Sequence, residues 1–561
     1  MRRTRGLRTS LCLLLAVATA GFTAPPQAEP EAQRHSLQLD PAVLVSVAQV
    51  WAVIGSDDNP VWPGWNAAET PVLVYFPGEQ ELLFNHPDPP EGFVPPGDLV
   101  PLARAPLERA WVRNGVTHFP SDGQNTRTEI NGVSTLVLAD TLSNRRSWIR
   151  GLLGAPGTPA ERGERLTLAR LSGDPYSQMA MVAHEAFHVF QHARAPHKAV
   201  PETALLTYPT LSVDNNVGVA LEGQALARAL NAGSPAEAVR AAREAIALRH
   251  WRRRQLTPDQ IAYEDGTEFT EGLAKFAEYR LTSALEGRTP IPEMRWVRGF
   301  QGFDGMAAVR AALIQDLLDT TDGTRVVNND AHGAAPVRFR LYSSGMAMAA
   351  TLDRLEAPGW RDRILQDGTT LTGLLAEHLG VFDEAGVLAP VLATEEAARQ
   401  RARAEQLAET GEQANAALLA SIFTAAPDGP SWRLVLDYSA LGPEVEPGFG
   451  YTPFGTTAIA PDRIIYRQVL ISGELAGAGR FRQQRATPLL HDRTARTVTF
   501  RIEGAAPTLT GPMATPRALD GLALPGVDFA FRYGRVETEG GVVTVRLLKA
   551  PGGSGGAGTG P

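Results

Sequence analysis

The pattern of hydrophobic and polar positions changes twice along the chain. Between residues 25 and 170 the pattern is mixed, and short apolar runs at 71–76 and 133–138 have the length and composition of strands. A helix is expected after Asp40, because its side chain can cap a helix that begins at Pro41. This first part is therefore predicted to be mixed α/β.

From 171 to 390 the apolar positions recur every three to four residues, which is typical of amphipathic helices. Alanine-rich helical stretches of this kind lie at 216–231, 235–254, 268–285, 304–319 and 340–355. A long polar helix at 395–423 follows, within a predicted connector that spans 391–428.

Beyond the connector the alternation has a period of two, which indicates strands. Glu539-Gly540-Gly541 suits a hairpin turn between the last two of them. The strands are expected at 432–438, 463–471, 497–502, 527–533 and 542–548. We therefore expect an α+β protein that ends in a small, sandwich-like all-β domain at 429–550 and a Gly-rich, disordered tail at 551–561.

The first 24 residues have the composition of an export signal. Four arginines precede a short apolar run at 11–20, and Ala20 and Ala24 end candidate cleavage sites. The run is too short to span a bilayer comfortably. Cys12 opens the run, whereas a lipid-anchored cysteine would close it. The protein is expected to be exported, periplasmic or secreted, by the general or the twin-arginine route, with no membrane association after cleavage.

Composition limits the partners and the metal ligands that this protein can use. The 561 residues carry a formal net charge of −8, which becomes more negative when the four signal arginines are removed. An acidic exported protein is a poor partner for nucleic acid. Cys12 is the only cysteine and lies in the signal, so the mature chain would have no disulfide and no thiolate ligand. Any metal site must rest on histidines and carboxylates.

One segment carries recognisable chemistry, His184-Glu185-Ala186-Phe187-His188, in a stretch predicted to be helical after Asp174-Pro175. Two histidines four residues apart share a helix face, and their neutral imidazoles can bind one tetrahedral Zn²⁺. Glu185 can reach a water on the metal without binding the ion. His192, one further turn along, lies too far away to share that ion and is expected to have a supporting role.

A catalytic zinc needs a third protein ligand, and two glutamates are candidates. Glu222 stands in a Leu-Glu-Gly-Gln segment and would otherwise be an exposed helix carboxylate. Glu271 follows Glu264 and Glu268 at a spacing that would crowd three carboxylates on one helix face, unless cations partner them. The arginine-rich segment 249–254 is expected to be such a carboxylate partner or a solvated helix face, rather than a site for a polyanion.

Taken together, the motifs resemble the gluzincin zinc metallopeptidases. In that family the Glu of a downstream Glu-Gly pair is the third ligand, which implies Glu271 in Glu271-Gly272-Leu273-Ala274-Lys275-Phe276. Tyr342-Ser343-Ser344-Gly345 is similar to the Y-x-x-G helix of the aminopeptidase and leukotriene-hydrolase branch, which implies Tyr342 as the residue that steadies the oxyanion. The stretch between His188 and Glu271 is longer than in most gluzincins, so Glu222 stays open as the alternative ligand.

The resemblance covers residues 174–355 and implies a zincin-like catalytic region, formed by the α/β part at 25–170 and the helical part at 171–390. It implies hydrolysis of peptides or proteins by a zinc-activated water, with Glu185 as general base. The G-x-M-x-N motif of the aminopeptidase branch is absent before His184, which argues against an amino-terminal exopeptidase.

Two other functions stay open. One is a zinc-bearing but non-catalytic binding protein for peptides or other ligands, and the other is a metal-dependent hydrolase of a non-peptide substrate. Oligomeric state, endo- or exo-action and the role of the C-terminal domain are not addressed by the sequence.

Overall fold

The structure, a computed structural model, describes most of the chain between residues 39 and 550. The described ranges are 39–96, 109–115, 118–119, 123–140, 174–325, 333–424, 430–450, 455–467, 471–507, 515–519 and 522–550. The predicted signal at 1–24 and the predicted tail at 551–561 lie outside them. Within these ranges the protein is α+β, as predicted, with twelve α-helices and three sheets.

The N-terminal part is one helix and a five-stranded sheet. Helix α1 (Pro41–Ile54) begins as predicted, because the Asp40 carboxylate accepts a hydrogen bond of 3.0 Å from the Ala42 amide. The strands are β1 (Val72–Phe76), β2 (Gln80–Phe84), β3 (Ala110–Asn114), β4 (Thr126–Ile130) and β5 (Val133–Ala139), and their order is β3-β2-β1-β5-β4.

The predictions at 71–76 and 133–138 are confirmed as β1 and β5, which pair in parallel at the centre of the sheet. The other pairs are antiparallel. Among the described strands β4 pairs only with β5 and lies at one end of the strand order. Its polar sequence, Thr-Arg-Thr-Glu-Ile, lacks the apolar alternation by which a strand is recognised, and it was missed.

Helices make up the middle of the chain. They are α2 (Pro175–Arg194), α3 (Val213–Asn231), α4 (Pro235–Arg253), α5 (Pro258–Thr267), α6 (Leu273–Leu285), α7 (Met306–Thr321), α8 (Ala334–Arg354), α9 (Trp360–Ile364), α10 (Leu371–Leu379), α11 (Glu384–Leu392) and α12 (Glu395–Phe423). No helix in the described ranges combines the length and the apolar character needed to cross a membrane.

Helix α2 lies at the centre of this arrangement, between the sheet and α6. Its buried Phe187 packs against Trp62, with ring centroids 5.0 Å apart, and Trp62 in turn packs edge-on against Phe276 of α6. This aromatic packing fixes α2 relative to both neighbours, because close-packed rings in a buried core leave little room for displacement.

Helices α5 and α6 run on without a break through one π-helical turn, Glu268–Gly272. The wider turn shifts the helical phase, and such turns are frequent at functional sites. As a result Glu264 and Glu268 point towards α4, whereas Glu271 points towards α2. The expected single face of three crowded carboxylates is therefore not formed.

The described residues from 430 to 550 contain strands and no α-helix. The strands are β6 (Ser431–Asp437), β7 (Pro447–Gly450), β8 (Thr456–Ala460), β9 (Arg463–Tyr466), β10 (Ser472–Leu475), β11 (Gly479–Gln483), β12 (Leu489–Asp492), β13 (Thr497–Glu503), β14 (Arg517–Ala518), β15 (Val527–Phe531), β16 (Tyr533–Glu539) and β17 (Val542–Leu547). Eight of them form a sheet in the order β14-β16-β17-β6-β13-β12-β9-β8, and four form a second sheet in the order β15-β11-β10-β7.

The two sheets meet through Phe481 of β11 and Phe500 of β13, whose rings stack with centroids 5.6 Å apart. The predicted strand at 463–471 ends early, at Tyr466. The predicted turn at Gly540-Gly541 is confirmed, with φ values of 56° and 76° that favour glycine. The turn joins β16 to β17. Strand β16 was not predicted, and it stands between the turn and the strand predicted at 527–533.

Candidate metal centre

Both histidines of the H-E-x-x-H segment lie on α2. The helix begins where the sequence predicts, because Asp174 accepts a hydrogen bond of 3.2 Å from the Ser177 amide and Pro175 occupies the first turn. His184 and His188 lie one turn apart on the same side of the helix, with ring centroids 4.8 Å apart. That side faces the π-helical turn between α5 and α6.

Glu271, on the π-helical turn, completes a group of three possible metal ligands. Its Oε2 lies 3.4 Å from Nε2 of His184 and 3.4 Å from Nε2 of His188. In the described part of the chain this is the one group of three or more His, Asp or Glu whose ligand atoms all lie within 4.8 Å of one another. The histidine pair and Glu271 thus meet across 83 residues of sequence.

The spacing of these atoms fits a tetrahedral metal ion. Bonds of about 2.0–2.1 Å at a tetrahedral centre place two ligand atoms roughly 3.4 Å apart. The two Nε2–Oε2 separations of 3.4 Å agree with that value. Two imidazole nitrogens and one carboxylate oxygen are also a donor set that Zn²⁺ favours in sites with an open fourth position.

The second nitrogen of each imidazole is held by a neighbouring side chain. Nδ1 of His184 donates to Glu278 Oε1 at 2.7 Å, and Nδ1 of His188 donates to Gln191 Oε1 at 3.0 Å. Gln191 is itself fixed, because its Nε2 donates to the Phe269 carbonyl at 2.7 Å. Such partners set the ring orientation, so that both Nε2 atoms face the Glu271 carboxylate.

Arg338 of α8 orients the carboxylate of Glu271. Its Nη2 donates to Glu271 Oε1 at 3.0 Å, while its Nη1 donates to both carboxylate oxygens of Glu202, at 2.8 and 2.9 Å. Oε1 of Glu271 is therefore bound by a guanidinium that Glu202 holds in place. Oε2 of Glu271 faces the two histidines. This arrangement favours binding of a metal through a single oxygen.

The centre is rich in negative charge. Burial disfavours the charged form of His184, but its bonds to Glu271 and Glu278 outweigh burial and raise the pKa of the imidazole to about 10. Burial likewise opposes ionisation of Glu271, yet the two histidines hold its pKa well below the ordinary value. The carboxylates therefore stabilise positive charge at the imidazoles, and a divalent cation would supply positive charge to the same carboxylates.

Glu185 points into a cleft of about 510 Å³ that the metal group also lines. It makes no hydrogen bond or ion pair with another residue of the described ranges. Burial raises the pKa of its carboxyl, although His184 and His188 oppose the shift. A free carboxylate with a raised pKa is well suited to accept a proton at neutral pH.

Tyr342, on α8, reaches the same cleft. Its ring is nearly parallel to that of His184, at 13°, with centroids 6.1 Å apart. Burial raises the pKa of the phenol well above its ordinary value, and the negative charge of Glu271 adds to the effect. The hydroxyl consequently keeps its proton and can act as a hydrogen-bond donor.

Glu222, the alternative ligand, is not part of this group. It is buried, with an exposed fraction of 2%, and its carboxylate pairs with Arg249 and, at 2.7 Å, with Arg252. Burial opposes ionisation, but these two guanidiniums outweigh it and lower the pKa of Glu222. The expectation of an exposed helix carboxylate is wrong, and the ion pairs account for Glu222 without a metal.

The arginine-rich segment is a carboxylate partner rather than a solvated face. Three buried arginines of α4 pair with three buried glutamates, and Ser344 of α8 also donates to Glu268, at 2.6 Å. The arginines are Arg249, Arg252 and Arg253, and the glutamates are Glu222, Glu264 and Glu268. Through Glu268 this buried ion network ties the π-helical turn to both α4 and α8.

Sequence reasoning missed several residues of the centre. Helical spacing could have identified two of them. Gln191 lies three residues after His188, and Glu278 lies seven residues after Glu271, so each shares a helix face with a proposed ligand. Arg338 lies four residues before Tyr342, but nothing local identifies Glu271 as its partner. Arg127, Lys198 and the expected supporting residue His192 also line the cleft.

The chain matches no protein-family model, no curated protein sequence and no solved structure.

Proposed function

We propose that this protein is an exported zinc-dependent metallopeptidase of the gluzincin type. The observation that carries the proposal is the convergence of His184, His188 and Glu271, with both Nε2–Oε2 separations at 3.4 Å, beside Glu185, whose carboxylate pairs with no described side chain. A purely structural zinc site has no need of an unpaired carboxylate next to its ligands. The signal-like composition of residues 1–24 supports export.

The proposed architecture is a zincin-like catalytic unit, 25–170 and 171–390, with a connector at 391–428 and a separate all-β domain at 429–550. Two hydrophobic cores support this division. One joins the sheet of β1–β5 to the helices around α2, and the other lies between the two C-terminal sheets.

Each residue of the centre has a role in the proposed hydrolysis. Zinc, when bound, would supply the Lewis acidity that acidifies water and polarises the scissile carbonyl. His184, His188 and Glu271 would hold the ion. Glu185 would accept the proton of the attacking water and deliver it to the leaving amine, and Tyr342 would donate a hydrogen bond to the developing oxyanion.

The edge strand favours a peptide over other substrates. Within the described ranges β4 pairs with β5 on one side and with no strand on the other, and Asn125, Thr126 and Arg127 at its start line the cleft beside Glu185. An open strand edge can pair with the backbone of an extended peptide, which provides affinity without requiring a particular side chain. That geometry supports peptide hydrolysis over the non-peptide alternative.

The decisive experiment compares Glu185→Gln with the wild type and with a control, Glu405→Gln, at an exposed position of α12. Zinc content and hydrolysis of an unfolded protein and a peptide library are measured on the same preparations. We expect Glu185→Gln to keep its zinc and to lose activity by about 10²–10⁴-fold, while the control behaves as the wild type.

Two results would overturn the proposal. Hydrolysis by zinc-loaded Glu185→Gln at the wild-type rate would remove Glu185 from the mechanism. A wild type that is fully loaded with zinc but cleaves no peptide would instead favour the non-catalytic zinc-bearing binding protein.

A further inference from the structure

We propose that the cleft recognises a carboxylate of the substrate, either the C-terminal carboxylate or an acidic side chain, through Lys198 and Arg127. The inference rests on the proposed peptidase function and concerns its substrate. Both residues line the same cleft as His184, Glu185 and His188.

Lys198 lies on the wall of the cleft next to Phe269. Its Nζ is 4.5 Å from the centre of the Phe269 ring, and Phe269 stands two residues before Glu271 on the π-helical turn. The ammonium donates to the Thr369 carbonyl at 2.6 Å, which fixes its position. Because an ammonium has three donors, this bond leaves others for a ligand.

The charge of Lys198 is retained at neutral pH. Burial lowers the pKa of the ammonium to about 8, although Asp367 and Asp265 oppose the shift. Asp265 itself pairs with Arg253 at 2.9 Å. No carboxylate of the described residues forms an ion pair with Lys198, so its charge is balanced only at longer range.

Arg127 supplies a second cation, from the edge strand β4. Its Nη1 donates to the Ser134 hydroxyl at 3.3 Å, and it forms no ion pair with a carboxylate of the described residues. Burial and the charge of Arg127 lower the pKa of His192, which also lines the cleft, and Glu129 of the same strand opposes the shift. A guanidinium presents several donors in a planar fork that matches a carboxylate.

The distribution of charge in the cleft favours an anionic ligand group beside Lys198 and Arg127. The carboxylates that line the cleft, Glu185 and Glu271, both lie at the metal group. Away from that group, the charged lining residues are Arg127 and Lys198, with His192 as a third titratable group. A partly desolvated region in which one sign of charge predominates attracts and orients a ligand of the opposite sign.

The test uses N-acetylated peptides of one sequence in three forms: a free C-terminal carboxylate, a C-terminal amide, and an amide with one glutamate introduced. The variants are Lys198→Met, Arg127→Met, the conservative Lys198→Arg, and a control, Arg194→Met. Arg194 is an exposed arginine at the end of α2 that does not line the cleft. We measure kcat and KM, and also calorimetric binding of each peptide to zinc-loaded Glu185→Gln protein.

We expect the wild type to prefer one carboxylate-bearing peptide over the plain amide by about 10- to 100-fold in kcat/KM, mainly through KM. The preferred form identifies the source of the carboxylate. Lys198→Met and Arg127→Met should reduce this ratio towards one, Lys198→Arg should retain most of it, and Arg194→Met should not change it.

Equal kcat/KM for all three peptides in the wild type would overturn the inference. So would a preference that survives in both methionine variants, since the carboxylate would then bind elsewhere, the metal included. If the wild type cleaves none of the peptides, the proposed function fails and binding decides the inference. In that case, peptide binding that depends on the carboxylate and is abolished by Lys198→Met would still support the inference. Peptide binding that does not depend on the carboxylate would overturn the inference.

Discussion

Gly272 and Gly345 meet backbone to backbone where α8 crosses the π-helical turn. A Cβ built on Gly272 would lie 2.6 Å from the Cα of Gly345, and a Cβ built on Gly345 would lie 2.8 Å from the Cα of Gly272. Only glycine permits this approach. Because Glu271 precedes one of these glycines and Tyr342 lies one turn before the other, the contact brings both residues to the same cleft.

We predict that Gly345→Ala weakens both the fold and the metal centre. The new methyl would meet backbone atoms, which cannot rotate away, so the helices must separate at a cost of about 1–3 kcal/mol. Urea unfolding and zinc titration measure the two effects. Gly373→Ala is the matched control, because its Cβ would approach only the Thr370 hydroxyl, at 3.3 Å. Unchanged zinc affinity in Gly345→Ala would contradict the positioning role.

We predict that Glu271→Gln and Glu222→Gln have opposite effects. Glu271→Gln should reduce zinc affinity by more than the roughly 10- to 100-fold typical of an outer-shell partner, while the protein stays folded. Glu222→Gln should keep its zinc in the folded state but lose about 3–5 kcal/mol of stability, because buried Arg249 and Arg252 lose a charged partner. Metal analysis beside urea unfolding separates the two, and loss of zinc from Glu222→Gln alone would make Glu222 the ligand.

We predict that Tyr342→Phe lowers kcat by about 10²–10³-fold, with little change in KM or zinc content, because a donor to the oxyanion acts in the transition state. The comparison variant is Tyr279→Phe, on α6 and outside the residues that line the cleft. Steady-state kinetics and metal analysis on both proteins provide the check. If the two variants had equal kcat, Tyr342 would have no catalytic role.

The fourth prediction concerns stability in acid and the C-terminal sheets. The Tyr438 hydroxyl and Nε2 of His491 form a hydrogen bond of 2.7 Å. Burial, with a contribution from Arg493, lowers the pKa of His491 from 6.5 to about 4. Between these values the unfolded chain binds a proton that the folded protein does not, so stability is present above pH 6.5 and is lost as the pH falls towards 4.

The expected loss from this residue is about 2–3 kcal/mol between pH 7 and pH 4.5. Urea unfolding at the two pH values measures it, and His491→Gln is the comparison, because an amide does not titrate. The variant should lose correspondingly less stability than the wild type. Equal losses in the two proteins would show that His491 is not the responsible group.

Much of the fold follows from local sequence. Asp40-Pro41 and Asp174-Pro175 mark the first residues of α1 and α2 because capping depends only on neighbouring groups. The H-E-x-x-H spacing places two imidazoles on one side of α2 for the same local reason. Strand β4 was missed because a polar edge strand takes its conformation from β5 rather than from its own alternation.

Sequence alone determined the histidine pair, the neighbouring Glu185 and the α+β class, because these depend on helical periodicity and residue type. For the third position the family resemblance implied Glu271, and Glu222 stayed open as the alternative. Tertiary structure decided between them: Arg249 and Arg252 neutralise Glu222 inside the buried ion network, while the π-helical turn directs Glu271 towards the histidines. That choice depends on charges and backbone contacts that come from distant segments, and no local pattern encodes them.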